Sequence, residues 1–206
     1  MSRPASTPTP AEAAPTWGAS LADPGPLGLA AFAMTTFVLS CVNSNLIPAT
    51  VEAAVFGLAF FYGGLVQLLA GMWEFARGNT FGAVAFSSYG AFWLSFWYLA
   101  SHPQLLAAAK GDAHKGVGTY LLGWTIFTAF MTIGTLRLNG ALIAVFSALT
   151  ITFLLLTLGE YFESANITKA GGYFGLLTAL LAWYTAAAGV INVPGRRPLL
   201  PLFPRS

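Results

Sequence analysis

The distribution of charge along the chain is the feature that most constrains its fold. All nine Lys and Arg residues and all seven Asp and Glu residues lie outside six long apolar stretches. These stretches are residues 27–46, 53–73, 80–100, 116–136, 140–159 and 171–193. Each has the length of about 20 residues that a helix needs to cross a bilayer, and none alternates apolar and polar side chains as a transmembrane β-strand does. The pattern predicts an all-α integral membrane protein with a bundle of six transmembrane helices.

The composition supports a membrane protein and excludes other classes. Charged residues make up 8% of the 206 residues, against about 25% in a typical soluble domain, and so are too few to coat a soluble enzyme or binding module. Hydrophobic residues make up 56%, which excludes a disordered chain. The net charge of +2 gives no reason to expect a nucleic-acid partner, and the single cysteine, Cys41, excludes an internal disulfide.

The apolar stretches define three regions. Residues 1–22 are rich in Pro, Ala, Ser and Thr and lack the apolar segment of a signal peptide, so they are predicted to form a disordered cytoplasmic tail. Residues 23–193 form the predicted six-helix transmembrane domain, and residues 194–206 form a tail rich in Pro and Arg.

The placement of Lys and Arg predicts the orientation. An even number of spans puts both termini on one side of the membrane, and the side richer in Lys and Arg is normally cytoplasmic. The terminal side carries six of these residues and the other side three, so both termini are predicted to be cytoplasmic. The six are Arg3, Arg77, Arg137, Arg196, Arg197 and Arg205, and the three are Lys110, Lys115 and Lys169.

None of the six stretches contains Lys, Arg, Asp, Glu or His. A proton relay or ion pump normally places such a residue inside the membrane, and a metal-dependent membrane enzyme needs clustered His or carboxylate ligands. The two histidines, His102 and His114, lie in a predicted loop. The sequence therefore predicts no catalytic site, no metal and no cofactor. Neutral hydroxyl and amide donors hold a small solute weakly enough to release it, which suits a small carboxylate, its neutral acid or a small neutral molecule.

Small and polar residues recur at helical spacing within the stretches. A packing seam on the second stretch is predicted by glycines seven residues apart, namely Gly57, Gly64, Gly71 and Gly78. Gln67 borders this seam, and its amide must find a partner, either on a neighbouring helix or along a polar path. Glu74 lies just past the end of the stretch, where water can solvate it. Hydroxyl residues form stripes on several stretches, and they either bond to their own helix or line a shared polar path.

Three segments carry a resemblance to a known family. Residues 23–29 read Asp-Pro-Gly-Pro-Leu-Gly-Leu, which resembles the Asn-Pro-Ala-Pro-Leu-Gly-Leu signature of the acetate uptake transporter family, including the SatP-type succinate–acetate permeases. Residues 61–93 are similar to the second and third helices of that family, and residues 134–136 to the end of its fourth. The matching signature residues are Asp23, Pro24, Pro26, Leu27, Gly28 and Leu29. Asp23 replaces the signature Asn; it can still cap a helix, but it adds a negative charge near the predicted cytoplasmic mouth.

The resemblance implies a fold and a function. It implies a six-helix, channel-like transporter that assembles in the bilayer as a ring-shaped homohexamer, with one pathway in each protomer. It implies uptake of acetate, and of succinate or other short carboxylates, across the plasma membrane together with protons. It also implies a hydrophobic constriction formed by Phe32, Tyr89 and Leu149. Further residues near the path, implied to bind substrate, are Thr35, Thr36, Gln67 and Ser88.

Two other functions stay open from the sequence. The same pore could serve a passive channel for acetate, ammonia or another small solute. A membrane protein that forms oligomers and transports nothing would also fit the glycine seam. If transport is coupled to protons, the absence of ionisable residues from the spans makes the substrate itself the simplest proton carrier.

Overall fold

The computed structural model describes residues 17–193 and 195–205, and the described chain is mostly helical. We label its long helices α1 (Gly25–Asn43), α2 (Ala53–Gly57, Leu58–Val66 and Gln67–Arg77 in unbroken succession), α3 (Thr80–Ser101), α4 (Ala113–Thr135), α5 (Gly140–Tyr161) and α6 (Ala165–Ile191). Short helical segments are Trp17–Ser20, Ala49–Val51, Pro103–Ala107 and Lys110–Asp112.

Five segments of the described chain are long and apolar enough to cross a membrane. They are Gly25–Asn43, Ala49–Arg77, Lys110–Thr135, Gly140–Tyr161 and Ala165–Ile191, with mean hydropathy from 1.3 to 2.5. The prediction of an all-α protein with several apolar helices is confirmed. α3 has a comparable length of 22 residues, but its Ser, Gly, Tyr and Trp residues make it less apolar than these five.

The helices follow one another around a ring. α1 packs on α6, α6 on α5 and α5 on α4, while α2 packs on both α1 and α3. Side-chain hydrogen bonds between α3 and α4 close the ring: the Tyr89 hydroxyl lies 2.9 Å from Thr128 Oγ1, and the Ser95 hydroxyl lies 2.8 Å from that of Tyr120. The hydrophobic core lies inside this ring and is rich in aromatic side chains.

Glycines on α6 allow α1 and α6 to pack closely in opposite directions. A Cβ atom at Gly172 would collide with the backbone of Asn43 and Ser44, at the end of α1. A Cβ atom at Gly189 would lie 2.6 Å from the Pro26 ring, at the start of α1. α1 therefore begins at the end of the bundle where α6 ends. We call this end the terminal end and the other the opposite end.

The glycine seam of α2 is shorter than predicted. A Cβ atom at Gly64 would lie 2.7 Å from Leu94 of α3, and one at Gly71 would collide with Ser87 of the same helix. A Cβ atom at Gly57 would meet no atom of the described residues within 4 Å outside its own helix, and Gly78 ends the helix in a left-handed conformation with φ 76°. Residues Leu58–Val66 are wound as a π-helix, which has more residues per turn than an α-helix and so breaks the seven-residue register.

Both described ends of the chain pack against the bundle. Within the predicted N-terminal tail, Trp17–Ser20 forms a helical turn whose tryptophan ring lies 6.3 Å from that of Trp73, while residues 1–16 lie outside the described part. The C-terminal segment, residues 198–205, crosses from the end of α6 to the start of α5. The backbone N–H groups of Gly140 and Ala141 donate to the carbonyls of Phe203 and Leu202.

Candidate functional site

A cavity of about 190 Å³ opens at the terminal end. We call it the terminal cavity. α1, α2, α3, α5 and α6 line it, together with the C-terminal segment. Its lining includes Phe32, Gln67, Glu74, Tyr89, Leu149 and Leu202. The mouth is thus bordered by the starts of α1, α3 and α5, and the positive ends of these helix dipoles favour negative charge.

A second cavity, of about 360 Å³, lies toward the opposite end, and we call it the opposite cavity. Its walls come from the end of α1, from α3, α4 and α5, from the start of α6, and from the segments that connect these helices. Its lining includes Glu52, Phe92, His114, Phe153, Glu160 and Thr168. The carboxyl groups of Glu52 and Glu160 and the imidazole of His114 give this cavity ionisable side chains that the long apolar helices lack.

A buried aromatic layer separates the two cavities. On the terminal side, the ring centroids of Phe32 and Tyr89 lie 5.7 Å apart, and Leu149 is also buried. One helical turn farther along α3 and α5, the rings of Phe92 and Phe153 lie 5.2 Å apart and edge to face. The structure therefore brings the three predicted constriction residues together in one buried cluster.

The hydroxyl of Tyr89 is already engaged inside this layer. It lies 2.9 Å from Thr128 Oγ1 on α4, and both side chains are buried. A buried hydroxyl without a partner would cost about 1–3 kcal/mol, so this hydrogen bond fixes the orientation of the ring. Tyr89 thus lines the terminal cavity while its hydroxyl is bonded to α4.

The predicted substrate-binding residues fall into two groups. Gln67 is 1% exposed and lines the terminal cavity, and its side-chain carbonyl has no hydrogen-bond partner among the described residues. Thr35, Thr36 and Ser88 line neither of the two cavities. The Thr35 hydroxyl donates to the carbonyl of Ala31 at 2.9 Å, whereas Thr36 Oγ1 is buried without a described partner.

The hydroxyl stripes of the later helices mostly hold helices together. Three pairs of threonines meet across α4, α5 and α6 at 2.9–3.3 Å, and each of the six hydroxyls also lies within hydrogen-bonding distance of a backbone carbonyl of its own helix. The pairs are Thr125 with Thr157, Thr132 with Thr150 and Thr152 with Thr178. Among the residues of these stripes, Thr185 lines the terminal cavity.

Glu74 is a site residue that sequence reasoning missed. It is 2% exposed and lines the terminal cavity, so the expectation that water solvates it is wrong. Asn79 Nδ2 donates to Glu74 Oε2 at 2.9 Å, while Asn79 Oδ1 accepts from the backbone N–H of Gly82 and caps α3. The order Glu-Phe-Ala-Arg-Gly-Asn-Thr carried a usable signal, because the side chain of an N-cap Asn five residues after a Glu can bond to that Glu and to the first turn of its own helix at once.

Asp23 is neutralised at the mouth of the terminal cavity. Its carboxylate lies 3.0 Å from the Arg77 guanidinium and accepts from the backbone N–H of Gly25 at 3.0 Å. It therefore stabilises the start of α1, as expected, and its charge is balanced by an ion pair. Among the described residues, no three His, Cys, Asp or Glu side chains cluster as a metal site would require.

Known proteins resemble this chain over most of its length. The family model described as the GPR1/FUN34/yaaH family matches residues 5–196. Acetate permease A of Emericella nidulans is 48% identical over 186 residues, covering 83% of this chain and 62% of the relative. Ammonia transport outward protein 2 of Saccharomyces cerevisiae is 44% identical over 178 residues, covering 82% and 61%. The chain thus spans less than two thirds of the length of these fungal relatives.

Bacterial relatives match over nearly their whole length. The succinate-acetate/proton symporter SatP of Escherichia coli is 38% identical over 182 residues, covering 88% of this chain and 95% of the relative. A solved structure described as the bacterial acetate channel SatP superposes with a TM-score of 0.81 at 38% identity, covering 89% of this chain and 99% of the other. These matches confirm the family resemblance, and the chain belongs to the GPR1/FUN34/yaaH family.

Proposed function

We propose that this chain carries acetate and other short-chain carboxylates, succinate among them, across the plasma membrane together with protons. The observation that carries the proposal is the buried aromatic layer between two cavities. The choice of solute rests on the similarity of the chain to proteins named as an acetate permease and a succinate-acetate/proton symporter. In this proposal the chain is a transporter and not an enzyme.

Phe32, Tyr89 and Leu149 are the proposed constriction. The pKa of a carboxylic acid is about 4, so the solute is almost fully ionised at neutral pH. Moving a bare carboxylate into an apolar layer is costly, whereas its neutral acid crosses at a much smaller cost. The substrate would therefore pass this layer as the acid and carry its own proton.

Gln67 is the strongest of the proposed substrate-binding residues. It lines the terminal cavity, its buried carbonyl can accept from the O–H of an acid, and its amide nitrogen can donate to a carboxylate. Thr36, with an unpaired hydroxyl, is the next. Thr35 and Ser88 complete the proposed set and are weaker members, because, like Thr36, neither lines one of the two cavities, and neither is among the described residues with a buried hydroxyl that lacks a partner.

The proposed protomer has six spans, with α3 as the sixth. Its 22 residues extend about 33 Å, which matches the hydrocarbon core, and it packs along α2, a segment apolar enough to cross on its own. The proposed assembly is a homohexamer with cytoplasmic termini. Support for an assembly comes from large apolar side chains exposed on α2 and α4, which need lipid or a second copy to cover them, among them Phe61, Leu69, Ile126 and Ile133.

The experiment that tests the constriction is Leu149→Ala in purified protein reconstituted into liposomes. Removing this side chain widens the layer, so uptake of a larger acid such as labelled benzoate should rise about tenfold or more, while acetate uptake continues. The matched control is Leu154→Ala on the same helix, because Leu154 is 42% exposed on the outer surface. Equal substrate ranges for the two variants would show that Leu149 is not part of the constriction.

The same liposomes separate the proposed function from its rivals. Accumulation of labelled acetate above equilibrium in an imposed proton gradient, lost on adding an uncoupler, supports proton-coupled uptake. Rapid flux of acetate or ammonia that only equilibrates supports a passive channel. The ammonia arm is included because one relative is named for ammonia transport. No flux above that of empty liposomes, with folded protein, would overturn the proposal.

A further inference from the structure

Glu74 is a buried carboxyl group without an ion-pair partner among the described residues. It lies on the last turn of α2 and lines the terminal cavity, and its exposed fraction is 2%. The cation nearest in sequence, Arg77, pairs with Asp23 instead. Burying a carboxylate without a cation costs free energy. An acid at this position therefore indicates a role other than stabilising the fold.

The surroundings of Glu74 hold one of its oxygens and leave the other available. Oε2 accepts from Asn79 Nδ2, and Asn79 is itself fixed by capping α3. A Cβ atom at Gly82 would lie 2.7 Å from the Glu74 carboxyl carbon, and one at Gly25 would lie 3.5 Å from Oε1. The two glycines therefore make the room in which the carboxyl group sits. Because Asn79 can donate to Oε2 in either protonation state, Oε1 is the oxygen that gains or loses a proton.

The charges around Glu74 come from few groups. Asp23, before α1, disfavours the carboxylate, and Arg77, on the same helix, favours it. These two groups carry opposite charges and pair with each other, so their effects on Glu74 oppose one another. From α3 it is faced by Gly82 and the uncharged Asn79. A second carboxylate entering this cavity would repel an ionised Glu74, which favours sharing one proton between the two acids.

We propose that Glu74 is the residue that holds the transported proton in the terminal cavity. The inference rests on the proposed function, in which the acid crosses the aromatic layer in its neutral form. When the acid arrives, its O–H bond breaks and a new O–H bond forms on Glu74 Oε1, and the carboxylate leaves. Glu74 then releases the proton to water. In the reverse direction, protonated Glu74 supplies the proton that an entering carboxylate needs before it crosses.

The test is the exchange of labelled acetate at equal pH on both sides of proteoliposomes, measured between about pH 5 and pH 7. In the wild type, protonated Glu74 supplies the proton, so the exchange rate should change little over the pH range in which Glu74 stays protonated. Glu74→Gln has no proton to give, so its rate should follow the concentration of neutral acid and fall about tenfold per pH unit. Glu74→Asp should restore the plateau, and Glu163→Gln, at an exposed position outside both cavities, should match the wild type.

Each outcome separates the inference from the proposed function. No wild-type exchange above empty liposomes overturns the proposed function. Wild-type exchange that already falls about tenfold per unit, or a parallel loss of rate in Glu74→Gln at every pH, leaves transport intact and overturns the role of Glu74.

A measurement on the wild type covers the case in which the Gln variant does not fold. Dicyclohexylcarbodiimide adds to protonated carboxyl groups in apolar surroundings and leaves an acylurea that mass spectrometry detects. We expect Glu74 to be labelled and acetate to reduce the labelling. Labelling of Glu52 or Glu160 without Glu74 would overturn the inference.

Discussion

The two cavities differ in how the chain covers them. At the terminal end, Asn79 and Asn139 cap α3 and α5, and the C-terminal segment is hydrogen-bonded across the start of α5. At the opposite end, the cavity is larger and is bordered by short helical segments, where the ion pair between Asp112 and Lys115 is exposed. The side-chain caps of α3 and α5 and the bonds that hold the C-terminal segment therefore lie at the terminal end, whereas the short segments at the opposite end carry an exposed ion pair. Substitutions that remove only these local contacts, and leave the packing of helices unchanged, should therefore have larger effects at the terminal end than at the opposite end.

The largest effect should come from the packing of α1 on α6, which both ends share. In Gly172→Leu, the added Cβ would collide with the backbone of Ser44, and backbone atoms cannot move aside as a side chain can. We expect a loss of about 3 kcal/mol in the free energy of unfolding and little folded protein in detergent. Thermal unfolding and size-exclusion chromatography measure this.

The control for this substitution is Gly123→Leu on α4. Gly123 is exposed, and an added Cβ would meet no atom of the described part of the chain within 4 Å outside its own helix. Leucine also favours a helix more than glycine does. The variant should be at least as stable as the wild type. Equal stability of the two variants would contradict the close approach of α1 and α6.

A smaller effect is expected from Asn192→Ala at the terminal end. The Asn192 side chain accepts from the N–H groups of Leu199 and Leu200 and donates to the carbonyl of Leu200, at 2.8–3.1 Å. Losing these bonds should cost about 1–2 kcal/mol and free the C-terminal segment, so trypsin should cleave after Arg196 about tenfold faster. The rate of cleavage, followed by mass spectrometry, measures the release.

The control for the terminal end lies at the opposite end. Asn166→Ala changes an exposed Asn in the first turn of α6, where we expect no change in cleavage. If Asn192→Ala and Asn166→Ala cleave alike, the C-terminal segment is not held as the hydrogen bonds indicate, and the difference between the two ends disappears.

Much of the helical architecture could be predicted from the sequence, because burial in lipid demands long apolar runs and excludes charge. Gly64 and Gly71 could be placed on a seam by their spacing alone. The π-helical segment before Gln67 could not be predicted, since no local residue pattern indicates it. Glu74 was misjudged because a linear sequence shows where a span ends but not which residues of the next helix fold over that end.

The threonine pairs and the C-terminal segment mark the other limit of sequence reasoning. Thr152 bonds to the backbone of its own helix, as its type predicts, but its contact with Thr178 on α6 depends on how two helices pack. The bonds from Gly140 and Ala141 to residues 202 and 203 join parts of the chain that are far apart in sequence. Phe32, Tyr89 and Leu149 lie in one buried cluster, and it was the resemblance to a family, not periodicity, that singled them out.

The smallest effect is expected from Asp112→Asn at the opposite end. The Asp112 carboxylate lies 2.6 Å from Lys115 Nζ, but both side chains are largely exposed, so water and salt screen the attraction. We expect no measurable change in the unfolding midpoint or in acetate uptake, at low or at high salt. A fall in uptake that salt abolishes would mean that charge on this loop steers carboxylates toward the opposite cavity. The opposite end would then recognise the substrate before it enters, and the contrast with the hydrogen-bonded terminal end would become a division between capture and release.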